Sequence, residues 1–534
     1  MRLLVVAALV AACSHPSSTT APTSGSWKGP DSLAHVPADT PYVFALLEPP
    51  SEAVRKKMPG NMDVIVLPAL KEAASVPLDK RLGLEPPKRA LLGIMDAMRG
   101  TDPTLWWENL GFAKNGHWVL YGLGVWPVLR VEVGDANKLR AILAEAAKTL
   151  AMPELQEKEA NGVAYWVASK FGMSAIVAVT DHEVVAAVLP SQSLATTVPI
   201  VLGGKPLEHN LRDSGEVADL MARYHFVPAT IGVLDTRRVI AALERRDDLA
   251  TTSVFTAPAC HADYERMAAA VPRIVIGYRQ LDALGFMATL AFETSPEVAK
   301  QLASLRTAMP AAPEPAHAML SFVVAADVDA GVAVLRGWLQ GIADRPFQCE
   351  QLAIAKMIVG GALEETKNLI PAELKGLHGG ELVVEDANES PPGGAGYMLV
   401  AGDQIAIALG QALQKVPGLG GLSIAPDGQP LELPIGMLGM PGLASAHLAM
   451  HTSRAALAIG PRSKTEVTAA LAAPNAPRSP LATFNWDIAK FMRQVPSLMK
   501  EDNRNNLASI ATMTSTLDVR DDAIAVDIGG TWVK

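Results

Sequence analysis

The chain has three cysteines in 534 residues, only 5% aromatics, and no apolar run long enough to cross a bilayer. Each shortage excludes something. Cys13, Cys260 and Cys349 form no CxxC pair, so a zinc ribbon or a thioredoxin-type relay has nothing to build on. Few rings argue against a polysaccharide surface made by ring stacking. A spanning helix needs about 20 apolar residues, whereas the run at residues 3–12 has ten. Positive charge is short too. The net charge is −9 and no basic block exceeds Arg55-Lys56-Lys57, which makes nucleic acid a poor partner. Walker A, GxSxG and HExxH patterns are missing. Ser497-Leu498-Met499-Lys500 fits SxxK, but the accompanying SDN and KTG elements are absent. No catalytic residue, metal or cofactor is marked, although a triad drawn from distant residues would escape such a search.

What is present begins at the first residue. Arg2 precedes ten apolar residues, which suits the h-region of a signal peptide. That run ends in Val10-Ala11-Ala12-Cys13, which resembles the lipobox of bacterial lipoproteins. The resemblance implies a diacylglyceryl group on the Cys13 thiol, removal of residues 1–12 and acylation of the new amino end. Several chains, at ~0.8 kcal/mol per buried methylene, hold a protein almost permanently. Ser14, in place of Asp, resembles the outer-membrane address of enterobacterial lipoproteins. The implied location is a bacterial cell envelope, on the outer membrane facing the periplasm. The membrane is then a partner through lipid, with an envelope protein as a possible second.

With Cys13 used for lipid, Cys260 and Cys349 remain as an even pair in an oxidising compartment. A disulfide is expected, the alternative being two buried thiols. It would close a loop of about 90 residues, worth roughly 4–5 kcal/mol in the chain-entropy model. His261 and Asp263 beside Cys260 could suggest a thiol site, but a lone Cys with a distant partner reads better as a bridge.

Residues 14–30, SHPSSTTAPTSGSWKGP, read as a flexible tether with a reach of ~20–25 Å. The remaining length exceeds one core, so two domains are expected. The division is residues 1–12 signal peptide, 13–30 lipidated Cys and tether, 31–250 first domain and 251–534 second domain. The boundary is placed at residues 245–258, RRDDLATTSVFTAP.

Strands come in pairs followed by helices. Residues 42–47 read as the first strand, and 117–133 as two strands broken around Gly124 and Pro127. Asp135 then caps a helix whose apolar positions are Leu139, Ile142, Leu143, Ala146, Ala147 and Leu150. Ser295-Pro296 starts another helix, and Asp329 opens a third. A strand, small-polar turn, second strand and helix entry recur at residues 174–194, 396–413 and 446–467. The fold class is therefore α+β: two domains of mostly antiparallel sheet packed with helices, built from hairpin–helix units by duplication. The stretch around Val36–Ala45 and the WVLYGLG and PVLR strands resemble exported bacterial proteins known from genomes, a likeness that implies no activity.

Three further features carry tempting chemistry. Val526-Asp527-Ile528-Gly529-Gly530-Thr531 resembles the phosphate-binding turn of actin-fold sugar kinases, but there the rest of the domain follows it. Here the reading is a last strand ending in a glycine turn. His447 and His451 are four apart, yet on a strand they stand ~13 Å apart, too far to share a metal. Asp181-His182-Glu183 reads as a solvated turn. The tryptophans are more informative: Trp106, Trp107, Trp118 and Trp126, four of nine, fall within 21 residues. They read as core beneath a sheet, or as a groove for an apolar ligand or partner.

The leading expectation is a non-catalytic envelope lipoprotein acting as a scaffold or interaction module. The alternatives are a carrier or sensor of a lipid or other apolar ligand, and an envelope hydrolase.

Overall fold

The computed structural model describes residues 27, 29–57, 106–149, 155–203, 206–244, 258–314, 317–366, 369, 375–389, 392–415, 424–434, 445–499, 504 and 507–533. Cys13, the tether's residues 14–26 and the boundary residues 245–257 lie outside them. The chain divides into two compact units. The first is Met1–Thr256 with Arg273–Phe286, and the second is Ala257–Pro272 with Met287–Lys534.

The first unit holds β1 (Tyr42–Leu46), β2 (Trp118–Leu123), β3 (Trp126–Glu132), β4 (Leu155–Ala160), β5 (Val163–Lys170), β6 (Met173–Val179), β7 (Glu183–Pro190), β8 (Thr230–Asp235) and β9 (Arg273–Leu281). They pair in the order β4-β5-β6-β7-β3-β2-β1-β8-β9, every pairing antiparallel. Strict alternation puts Val43, Ala45, Val119, Tyr121, Val128, Val185, Ile231, Val233 and Val275 on one face, all buried. Helices Leu194–Leu202 and Glu216–Tyr224 carry the buried Val198, Val201, Leu202, Leu220 and Met221 of the same unit. Each such apolar side chain contributes about 1.5–3 kcal/mol by leaving water. On that face Arg130 is also buried, 2.6 Å from Glu183 and donating from Nη1 to the Val201 carbonyl. Glu183 is thus half of a buried ion pair rather than part of a solvated turn, while Asp181 and His182 are exposed.

The second unit holds β10 (Gly285–Glu293), β11 (Leu320–Val324), β12 (Leu377–Glu389), β13 (Pro392–Gly402), β14 (Leu431–Glu432), β15 (Ala446–Met450), β16 (Arg454–Ile459), β17 (Ala482–Asp487), β18 (Ile510–Val519) and β19 (Ala523–Trp532). Its order is β14-β15-β16-β13-β12-β11-β17-β18-β19-β10. The architecture is α+β, with the strands antiparallel as the sequence suggests.

The two orders match over β5-β6-β7-β3-β2-β1-β8-β9 and β14-β15-β16-β13-β12-β11-β17-β18, with β4 of the first unit and β19 and β10 of the second outside the match. In chain order both contain a first strand, a hairpin, a helix, a second hairpin, another helix and two further strands, with β4–β5 or the short β14 between the first helix and the second hairpin. In the first unit these are β1, β2–β3, helix Ala136–Thr149, β6–β7, helix Leu194–Leu202, β8 and β9. In the second they are β11, β12–β13, helix Ile405–Lys415, β15–β16, helix Ser463–Ala472, β17 and β18. The correspondence extends to single residues. Asp235 and Asp487, each three positions past the row described below, accept from Arg238 N and Lys490 N and cap the helix that follows.

Residues 174–194 and 446–467 occupy equivalent places in this duplication. The middle repeat does not. Residues 396–402 finish β13, and the chain enters helix Ile405–Lys415 directly, so no second strand follows the Gly402-Asp403 turn. Its seven apolar residues, Ile405 to Leu409 with Ala412 and Leu413, suit a buried helix as well as a strand. Two smaller expectations also change. Helix Val328–Asp344 is capped by Asp327, whose Oδ1 accepts from Ala330 N at 2.7 Å, while Asp329 accepts from Gly376 N. Gly529 and Gly530 lie inside β19, paired with Thr514 and Met513, so the strand runs on without a glycine turn.

Candidate functional site

Cys260 and Cys349 form a disulfide inside the second unit. Both are buried, and Asp263 beside them is 5% exposed. Its Oδ2 accepts from Gln348 N at 2.6 Å and Cys349 N at 2.8 Å. Asp263 therefore holds the bridge's backbone in place, which accounts for a buried carboxylate without a reactive thiol.

The tryptophan cluster does not make one wall. Trp118 pairs across the hairpin with Val131, and Trp126 with Leu123, which places them on opposite faces of the sheet. Trp118 is buried in a cluster with Leu46, Leu120 and Val131, while Trp126 is partly buried. Trp106 and Trp107 stand in the short helix Trp106–Asn109, and their side chains lie outside the described residues.

A different tryptophan faces open space. Trp166 sits on β5 between the buried Tyr165 and Val167, so it points to the other face. There it lines a cleft of ≈ 840 Å³ together with Ala141, Ala144, Val163, Ala164 and Val179. Gly162 and four polar residues, Arg140, Glu157, Thr180 and Asp181, complete the lining among those described. The guanidinium of Arg140 is already engaged. Nε and Nη2 donate to the Val179 carbonyl, Nη2 also to Asp181 at 2.9 Å, and Nη1 to Asn137. The alternation of YWV within an otherwise half-exposed strand is the signal that could have singled out Trp166.

The most extensive apolar feature is a row that crosses the strands. In the second unit Leu431, Leu448, Leu457, Met398, Leu382, Phe322, Phe484, Ser515 and Ile528 pair directly, one strand to the next. Helix Ile405–Lys415 covers the β15–β16 end, where Leu413 packs with Leu448 and Leu457. Beyond it the row opens: Met398 is 46% exposed, Leu382 43%, Phe322 42% and Ile528 37%. The corresponding row of the first unit is Glu157, Trp166, Val177, Ala186, Leu129, Leu120, Phe44, Gly232 and Ile276. Its central part is closed, since Leu120 is buried and Phe44, Phe112 and Leu129 pack around it.

On the opposite, buried face of the second unit Glu381 accepts a hydrogen bond from the Tyr397 hydroxyl at 3.0 Å. Its other oxygen has no partner among the described residues. Burial raises its pKa, against the opposing pull of Tyr397 and Arg454. Nearby Glu466 is also raised, first by burial and then by the Glu385 carboxylate, with Arg462 bridging the two. None of the described clefts opens onto these groups. His447 donates or accepts with Ser463 at 2.9 Å and stands on β15, as strand alternation requires. Among the described residues no group of His, Cys, Asp and Glu could hold a metal, and no helix is long and apolar enough to cross a membrane.

Comparison with family models, curated proteins and solved structures finds no match. The class that the geometry defines is thus a duplicated antiparallel α+β protein, and its function rests on its own surface.

Proposed function

We propose that the protein is a non-catalytic envelope lipoprotein, tethered through Cys13, that works as an interaction module. The observation that carries this reading is the open apolar row Met398, Leu382, Phe322 and Ile528 on the second unit. An apolar patch of a few hundred Å² is about the largest that a typical monomer exposes, and such patches often mark sites of contact. The occupant is a partner envelope protein that lays the apolar side of one helix across the strands. Two dimensions support it. From Met398 to Ile528 the row spans five strand spacings, about 24 Å at ~4.8 Å each, the length of roughly 16 helical residues. Same-face neighbours one step to either side widen it to about 13 Å, except over β17, where Phe491 of the following helix packs edge-on against the neighbour Trp486. A footprint of roughly 300 Å² falls well short of the ~800 Å² per partner in a stable globular pair. A helix fits that strip; a second copy of the chain would need more surface.

The test uses native gels of gentle envelope extracts. Wild type should run in a complex, and Leu382→Asp/Met398→Asp should run alone with its melting transition kept. A double variant that stays in the complex would overturn the reading.

A further inference from the structure

We infer that the cleft beside Trp166 is a binding site for a small amphiphilic cation, an alkyl chain ending in an ammonium group. The inference is independent of the docking row, which lies in the other unit. Its volume of ≈ 840 Å³ lies within the ~300–1,000 Å³ of ligand sites. The chemistry of the lining selects the ligand. Val163, Ala164, Val179, Ala141 and Ala144 give an apolar floor and walls without a bulky side chain, which suits an alkyl chain.

Charge sets the sign of the head group. Arg140 would attract an anion, but four of its five N–H groups are committed to the Val179 carbonyl, Asn137 and Asp181. Asp181 is correspondingly neutralised by Arg140. Glu157 makes no hydrogen bond or ion pair among the described residues, and it is exposed. It stands directly across the β4–β5 ladder from Trp166, a pairing that brings Cβ atoms to about 5 Å. An unengaged carboxylate beside an indole face presents two attractions to one cation, Coulombic and cation–π. An anionic head group would meet the Glu157 charge, with Arg140 already offset by Asp181. The described residues of the second unit hold Leu431 of the two-residue strand β14 at the place of Trp166.

The experiment uses the full chain carrying Cys13→Ser, purified without detergent, and calorimetric titration with n-octyltrimethylammonium below its micellar concentration. Octanoate serves as the matched anion and octanol as the neutral chain. The cation should bind one per chain, about five- to tenfold more tightly than octanol, with octanoate weaker still. Glu157→Gln and Trp166→Phe should each weaken the cation about fivefold while leaving octanol unchanged in the Gln variant. Glu157→Lys should reverse the preference toward octanoate. Equal binding of all three probes, unaltered binding in Glu157→Gln, or no saturable binding of the cation would overturn the inference. Circular dichroism of each variant separates lost binding from lost fold.

Discussion

Phe44 and Phe322 occupy the same register position in two copies of one sheet, yet Phe44 is half-buried while Phe322 is exposed. Phe44 pairs with Leu120 on one side and Gly232 on the other, and Phe322 pairs with Leu382 and Phe484. The glycine makes the difference. A Cβ built at Gly232 would come within 2.6 Å of the Phe44 ring and 2.5 Å of Ile276, so the ring lies over bare backbone. At the same place in the second unit Phe484 fills the space, and Phe322 stays 42% exposed. Gly232→Ala should therefore destabilise the first unit by about 1–3 kcal/mol through overpacking. Phe322→Leu should cost well under that, because at a 42% exposed site the smaller apolar side chain keeps most of what the ring buries. Chemical denaturation of both variants measures the contrast, and equal losses would contradict it.

The Cys260–Cys349 bridge should carry stability that reduction removes. Non-reducing peptide mapping should recover both cysteines in one fragment. Replacing both by Ser should lower the stability of the second unit by up to roughly 4–5 kcal/mol, the chain-entropy value for a loop of this size. Asp263→Asn should add a smaller loss even with the bridge intact, since it weakens two hydrogen bonds to the Gln348 and Cys349 amides.

Glu381 gives a pH dependence of definite sign. Its folded pKa is raised above the unfolded value, chiefly by burial. The folded state thus holds the proton more tightly, so stability is greatest below the unfolded pKa near 4.5 and falls as pH rises through the folded one. Glu381→Gln keeps an acceptor for the Tyr397 hydroxyl and removes the charge. At pH 8 it should raise the melting temperature of the second unit by a few degrees, and near pH 4 the difference should vanish. A variant less stable than wild type at pH 8 would mean that the carboxylate is held by a charge partner.

Much of this fold can be read from the sequence, and the unread part has physical causes. Alternation and capping mark β1, the β2–β3 hairpin, the Asp135 cap and the Ser295-Pro296 start, because those signals are local. The cap of Asp135, for instance, is made to Lys138 N, three residues away. The buried Arg130–Glu183 pair is invisible in the same reading, since Glu183 lies 53 residues from its partner. The full duplication hides for another reason. Topology repeats while the side chains on the equivalent row change, Gly232 against Phe484 and Leu129 against Met398. Trp118 and Trp126 are near in sequence, but a hairpin's parity sends them to opposite faces. Trp166, outside that cluster, reaches the cleft for the same reason of parity.

Lipidation at Cys13 is tested directly in cells. Cys13→Ser should abolish palmitate labelling and release the protein from membranes. Labelling and membrane association unchanged by the substitution would remove the anchor from the account.

The docking row is tested most directly by methionine oxidation, because the chain contains its own reference residues. Met398 is 46% exposed, while Met450 and Met309 are buried at 3% and 0%. In the purified chain, a brief pulse of hydroxyl radicals should oxidise Met398 far faster than the other two. In intact envelopes, Met398 should be protected about fivefold or more, with Met450 and Met309 unchanged, because a partner helix covers the row. Vesicles of envelope lipid added to the purified chain should give no such protection, and neither should raising the chain's own concentration. Met398 oxidised equally fast in envelopes and in the purified chain would contradict the central claim.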